Sequence, residues 1–265
     1  MRFFDAHCHF DFPRFDGVRE QVLAQASEVG VKGLVIPAVR QADWQRVAGL
    51  SDPGKGVWYC LGIHPWFVAE HTAQDIDDLE KMLGSQPPGC VGVGECGLDG
   101  LRGELSAQLP WFSAQVAIAA KLNLALVVHS VKTHDQVAAV LRAEGGGRTL
   151  IHGFSGSYQQ ACKFIELGCY IGVGGVVTHG RAKKTRDVIS RLPVDVLVLE
   201  TDAPDMAPVG VAKGQNSPVH IPEIFAELAA LRGENKEWLA EALMENAGRL
   251  YGLAPDELVA HPASL

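Results

Sequence analysis

The sequence predicts an α/β fold, a TIM (β/α)8 barrel, and three observations predict it. Eight short apolar runs alternate with helix-like stretches from end to end, the pattern of parallel strands joined by crossover helices. Six side chains of metal-binding type, His7, His9, Glu95, His129, His152 and Asp202, fall at the ends of those runs, and such barrels build their sites at the C-terminal ends of their strands. The length, 265 residues, suits one barrel of about 250 residues, so residues 1–265 are read as a single domain.

The first run, residues 2–7, leads into Asp5-Ala6-His7-Cys8-His9. Residues two apart in a strand share a face, so His7 and His9 can converge on one ion while Cys8 points away. Apolar residues three and four apart then predict a helix over residues 18–29. The second and third runs, 33–39 and 57–63, supply no ligand, although His64 follows the third in Ile63-His64-Pro65-Trp66. A helix over 74–83 leads to the fourth run, 90–95, which closes on Glu95. Helices over 105–122 and 134–143 precede the fifth and sixth runs, 124–129 and 148–152, which close on His129 and His152. A helix over 158–167 precedes the seventh run, 169–173. Another over 183–192 precedes the eighth, 194–201, which Asp202 follows. Helices over 222–231 and 236–250 finish the chain.

Hydrophobic content of 47% with 20% charged residues is ordinary for a globular domain, and no apolar run approaches the roughly 20 residues needed to span a bilayer. The opening Met-Arg-Phe-Phe-Asp carries an acid too early for a secretory signal, so a soluble, cytoplasmic protein is expected. Its six cysteines form no Cys-x-x-Cys pair and read as reduced packing residues. The formal net charge of -8 argues against broad attraction to duplex nucleic acid. A local cluster, Arg181, Lys183, Lys184 and Arg186, offers positive potential or is a solvated helix face. The glycines of 92–97 and 172–175 are not followed by Gly-Lys-Ser or Gly-Lys-Thr, so neither segment is a P-loop.

A single histidine after an apolar run is ordinarily a packing residue; six metal-binding side chains placed in order at strand ends are not. Four imidazoles and two carboxylates exceed the needs of one tetrahedral zinc, whereas two ions sharing a bridging carboxylate would use them all. The expected barrel is therefore of the metal-dependent hydrolase type, with a dinuclear site. Imidazole-rich coordination favours zinc, manganese or similar ions.

These residues resemble the TatD-like metal-dependent deoxyribonuclease family of the amidohydrolase superfamily. The matching segments are Asp-Ala-His-Cys-His-Phe-Asp at 5–11, Gly-Ile-His-Pro at 62–65, Gly-Glu-Cys-Gly-Leu-Asp at 94–99, Val-His-Ser at 128–130, His-Gly-Phe-Ser-Gly-Ser at 152–157 and Glu-Thr-Asp-Ala-Pro at 200–204. They span nearly the full chain. Val-His-Ser alone is weak, and the ordered set is strong. Residues 183–189 and 132–135 look most like the YjjV-type branch.

The resemblance implies metal-activated attack of water on a phosphodiester of DNA, and the shallow basic inventory of the chain fits strand ends or single strands as the expected substrate. It implies that His7, His9 and Asp202 hold one divalent ion (magnesium, manganese or zinc), that His129 and His152 hold a second, and that Glu95 bridges them. Asp202 would accept the proton of the attacking water, and His64 would bind a substrate phosphate or assist the leaving oxygen. Many superfamily amidases bridge with a carboxylated lysine, so a glutamate tilts the reading toward phosphoesters over the alternative, a small ester, lactone or amide. Asp99 and Glu200 are candidates for orienting the ligands, and Asn216 is either a residue of the loop beside the site or a turn residue. Two positions depart from the family pattern: Val131 where many members have arginine, and Gly100 where many have an aromatic. Trp66 and Phe154 are the remaining aromatics on which a base could stack.

Overall fold

The structure is a computed structural model that describes residues 1–258; residues 259–265 of the predicted domain lie outside the described residues. Eight parallel strands follow one another around a single sheet in chain order. They are β1 (Phe3–Asp5), β2 (Val31–Pro37), β3 (Val57–Leu61), β4 (Cys90–Asp99), β5 (Ala125–Val131), β6 (Thr149–Ile151), β7 (Cys169–Val173) and β8 (Leu197–Leu199). The ends of the sheet meet where the Ala6 N–H donates to the Leu199 carbonyl at 2.9 Å. Beyond the strands the two segments stay joined, with Asp202 N–H bonded to the His7 carbonyl and His9 N–H to the Ala203 carbonyl, both at 2.9 Å. The predicted barrel is the observed one.

The helices are α1 (Arg19–Glu28), α2 (Trp44–Leu50), α3 (Ala73–Gly84), α4 (Leu105–Leu122), α5 (His134–Glu144), α6 (Tyr158–Glu166), α7 (Lys183–Arg191), α8 (Ile221–Arg232) and α9 (Lys236–Tyr251). Their ends follow local chemistry. Thr72 with Asp75 and Ser157 with Gln160 form capping boxes at the starts of α3 and α6. Asn123 and Gly145 stop α4 and α5 in the left-handed conformation. Helix α2 was not anticipated, because seven residues make about two turns and show too little periodicity. No helix among the described residues is long and apolar enough to cross a membrane.

Only β7 keeps its expected bounds: β1, β3 and β6 stop one or two residues early, at Asp5, Leu61 and Ile151, β2 shifts to Val31–Pro37, and β4, β5 and β8 change as well. β4 runs on to Asp99 and β5 to Val131, so Glu95 and His129 lie within ladders and do not close them. β8 keeps only three residues, since Val194–Val196 wind into a 3-10 turn. Asn246 of α9 clamps that turn by donating to the carbonyls of Val194 at 2.7 Å and Leu197 at 2.6 Å.

Burial divides the core in two. Leu34, Ile36, Val93, Leu126, Val128 and Ile151 face outward onto the helices. Phe4, Val35, Trp58, Ala125, Val127, Leu150 and Val198 fill the barrel interior together with Met244, Leu250 and Tyr251 of α9. Helix α9 thus closes the bottom of the barrel, and the Tyr251 hydroxyl donates to the Ala6 carbonyl at 2.5 Å. With the bottom plugged by apolar side chains, polar groups of the interior collect at the opposite mouth.

Candidate metal centre

Strand parity explains three of the six donors. Ala125 and Val127 face inward, and so does His129; Leu150 is followed by His152, and Val198 by Glu200 and Asp202. Glu95 needs a different device. Val93 pairs with Leu126 and Cys96 with Val128, so Gly94 and Glu95 together oppose Val127 alone. This bulge adds one residue and moves Glu95 from the outward parity of Val93 to the inward side. Gly94 makes it feasible, because its φ is +142° and a Cβ there would lie 2.7 Å from the Cβ of Val127. His7 and His9 lie past the last paired residue of β1, where the bonds to Asp202 and Ala203 position the chain.

The donors form two sets around the Glu95 carboxylate. In the first, His7 Nε2 stands 3.4 Å from Glu95 Oε2, 3.2 Å from Asp202 Oδ1 and 3.3 Å from His9 Nε2. His9 Nε2 completes the figure at 3.2 Å from Glu95 Oε2 and 3.5 Å from Asp202 Oδ1. Donors about 2.0–2.1 Å from a tetrahedral ion stand about 3.3–3.4 Å apart, so this set fits one. In the second, Glu95 Oε1 lies 3.2 Å from His129 Nδ1, 2.8 Å from His152 Nε2 and 3.1 Å from His64 Nε2. His129 Nδ1 and His152 Nε2 are 3.4 Å apart. The His7 and His152 rings stack at 4.0 Å and 2°, joining the two sets. All six sequence-predicted donors, and His64, are therefore brought together. Glu95 Oε2 is buried and receives no hydrogen bond, a position that a cation satisfies.

Hydrogen bonds decide which imidazole nitrogens carry protons. Asp99 Oδ2 lies 3.0 Å from His129 Nε2. A carboxylate only accepts, so Nε2 donates to Asp99, which leaves Nδ1 as the nitrogen that would offer its lone pair to a cation held at Glu95 Oε1. His64 is the reverse. Its Nδ1 accepts the Trp66 backbone N–H at 3.1 Å, so Nε2 holds the proton and donates toward Glu95 Oε1. His129 is thus prepared as a ligand and His64 as a donor to an anion.

Burial opposes the Glu95 charge, but the facing imidazoles of His152, His64, His7 and His129 outweigh it and hold the carboxyl well below its usual range. Asp202 is likewise lowered against burial by His7, His152 and His9. Its backbone is left-handed, φ +53°, a conformation that costs a non-glycine residue on the order of 1 kcal/mol or more. Burial pushes Glu200 up to about 8 and Asp5 up to about 7.

The remaining candidates separate clearly. Asp99 touches a proposed donor, and Glu200 instead accepts the Gly153 N–H at 2.6 Å, next to His152 in the chain. Asn216 binds the carbonyls of Thr201 and Asp205 at 2.8 Å each, a clamp on the loop after β8. Cys8 Sγ turns away to the Ala203 carbonyl, and Phe154 packs on His134 in the core. Arg186 is paired with Glu227 at 2.7 Å, whereas Arg181, Lys183 and Lys184 are exposed. Sequence reasoning missed Asp5, whose carboxylate accepts the Thr201 N–H at 2.9 Å and its hydroxyl at 2.6 Å, tying β1 to the Asp202 segment. Its position two residues before His7, on the same face, was the available signal.

The family model described as TatD related DNase matches residues 4–252. A metal-dependent hydrolase of Escherichia coli K12, YjjV, named as uncharacterized, is 40% identical over 255 residues, covering 95% of this chain and 98% of its own. A crystal structure of that protein superposes with a TM-score of 0.91 at 39% identity, covering 96% of this chain and 99% of the other. A 3'-5' ssDNA/RNA exonuclease TatD of Pantoea ananatis is 32% identical over 262 residues, 94% of this chain and 99% of that one. The bulged glutamate and the histidines around it thus sit in a chain that belongs, over almost its whole length, to the TatD related DNase family of metal-dependent hydrolases.

Proposed function

We propose that this enzyme uses two divalent ions to hydrolyse phosphodiester bonds of DNA, acting on single strands or strand ends. The observation that carries the reading is the split use of Glu95, whose two oxygens face two separate sets of donors. One set would be His7, His9 and Asp202 with Oε2, the other His129 and His152 with Oε1. Magnesium, manganese or zinc bound there would lower the pKa of water toward neutrality and offset the charge of a phosphodiester.

Asp202 is suited to take the proton of the attacking water. Its side chain, 13% exposed, is the most open of the donors that contact the first set, and its neighbours keep it ionised. His64 Nε2–H is suited to an anionic oxygen, either of the bound phosphate or of the leaving group. The net charge of -8 fits a held strand end better than a clamped duplex. The exonuclease names carried by relatives at about a third identity support the same substrate class.

The test is hydrolysis of end-labelled single-stranded and duplex oligonucleotides by metal-stripped protein resupplied with magnesium, manganese or zinc, beside Asp202→Asn. Metal-restored cleavage, lost in the variant, is expected. Turnover of a small ester, lactone or amide with none of any oligonucleotide would overturn the substrate assignment.

A further inference from the structure

Trp66 stands exposed at the rim of the metal centre, and its surroundings fix it there. It is 47% exposed, yet its Nε1 donates to Asp99 Oδ2 at 2.7 Å and its backbone N–H to His64 Nδ1 at 3.1 Å. Its ring centre lies 5.0 Å from that of His64 and 6.0 Å from that of His129. Those two imidazoles reach Glu95 Oε1 at 3.1 and 3.2 Å. Only one layer of side chain separates the indole from the centre. Over the indole lies the Arg102 guanidinium, 4.2 Å from the ring centroid, on a loop that Gln108 pins by donating to the carbonyls of Asp99 and Arg102.

We infer that Trp66 and Arg102 form a base-stacking subsite, in which the nucleobase adjoining the phosphate at the metal centre lies on the indole and Arg102 pairs with the flanking phosphate. The inference rests on the nuclease reading and names how that site selects its substrate. A ring locked by its own hydrogen bonds loses little entropy on receiving a planar partner. An exposed cation–π contact is weaker than stacking of a base on an aromatic ring, so a base displaces the guanidinium from the face and leaves it free to bind phosphate. Stacking accepts every base, because each has a π-face. Bases inside a duplex are already stacked on one another, so the platform admits the end of an unpaired strand.

The test compares wild type, Trp66→Ala, Trp66→Phe and Arg102→Gln, all metal-loaded and full length. Affinity is read by fluorescence anisotropy with an oligonucleotide carrying phosphorothioate ends, and KM with its ordinary counterpart. Each is made with normal nucleotides and with abasic sites at its last two positions. Trp66→Ala should weaken binding and raise KM about 10-fold on the normal strand and less than about 2-fold on the abasic one. Trp66→Phe, which keeps a ring but loses the bond to Asp99, should retain most of the affinity. Arg102→Gln should weaken binding and make its salt dependence shallower by about one phosphate contact. Equal losses on normal and abasic strands, or an unchanged affinity with lowered metal content, would overturn the inference and leave Trp66 as a support for Asp99 alone. Cleavage by wild type with no effect of Trp66→Ala sinks the subsite but not the nuclease; no cleavage by wild type sinks both.

Discussion

Asp99 holds the imidazole of His129 through one 3.0 Å hydrogen bond to Nε2 and thereby turns Nδ1 toward Glu95. The same carboxylate oxygen accepts the Trp66 indole N–H, and its other oxygen accepts the Leu101 N–H at 2.8 Å. Losing the acceptor frees the ring to rotate. Asp99→Ala should weaken the second of two bound ions by about 10–100-fold and spare the first, as measured by calorimetric titration of the stripped protein. Loss of both ions together would contradict the assignment of His129 to one set.

Glu95 serves both sets, and His152 contacts one of its oxygens. Glu95→Gln should therefore lower metal content at both positions, whereas His152→Ala should empty one. Elemental analysis after dialysis reads the stoichiometry. Two ions retained in Glu95→Gln would end the bridging role.

Gly172 of β7 faces Glu200, and a Cβ at Gly172 would lie 2.4 Å from Glu200 Oε2. Gly172→Ala should cost about 1–3 kcal/mol of stability through this overlap, followed by urea denaturation. Glu200→Ala removes the obstructing carboxylate, so the two substitutions together should cost less than their sum. Strict additivity would show that the clash is relieved elsewhere.

Burial shapes the cysteines. It pushes the Cys90 and Cys169 thiols up to about 12, and raises Cys60 as well. Native protein at pH 8 should give a thiol reagent fast access to no more than the two partly exposed thiols, Cys90 and Cys162, against all six after unfolding. Folding raises these pKa values, so between about 9 and 12 the folded state binds more thiol protons, and stability falls as pH rises. Fast reaction of several thiols in the native state would refute the packing.

The alternation of apolar runs and helical periods made the barrel legible, including the order of its strands and all but one of its helices. Helix α2 escaped because it is short, and the ends of β4, β5 and β8 shifted because periodicity does not mark where pairing stops. His129, His152 and Asp202 could be placed from parity, since each continues the inward face of its own segment. Glu95 could not. A bulge is set by pairing with β5, and nothing in Cys-Val-Gly-Val-Gly-Glu says that Gly94 and Glu95 will face one residue across the ladder.

The sequence by itself determined the class of fold, the inventory of donors and the family, because period, residue chemistry and motif order are local properties of the chain. Tertiary structure alone decided how the donors divide between the two oxygens of Glu95. It also decided that His129 presents a lone pair and His64 a proton, and that Trp66 stands fixed and open beside them. Those outcomes depend on closure of the barrel and on register between strands, which bring residues as distant as His7 and Asp202 to 3.2 Å, and no local pattern encodes distances between segments so far apart.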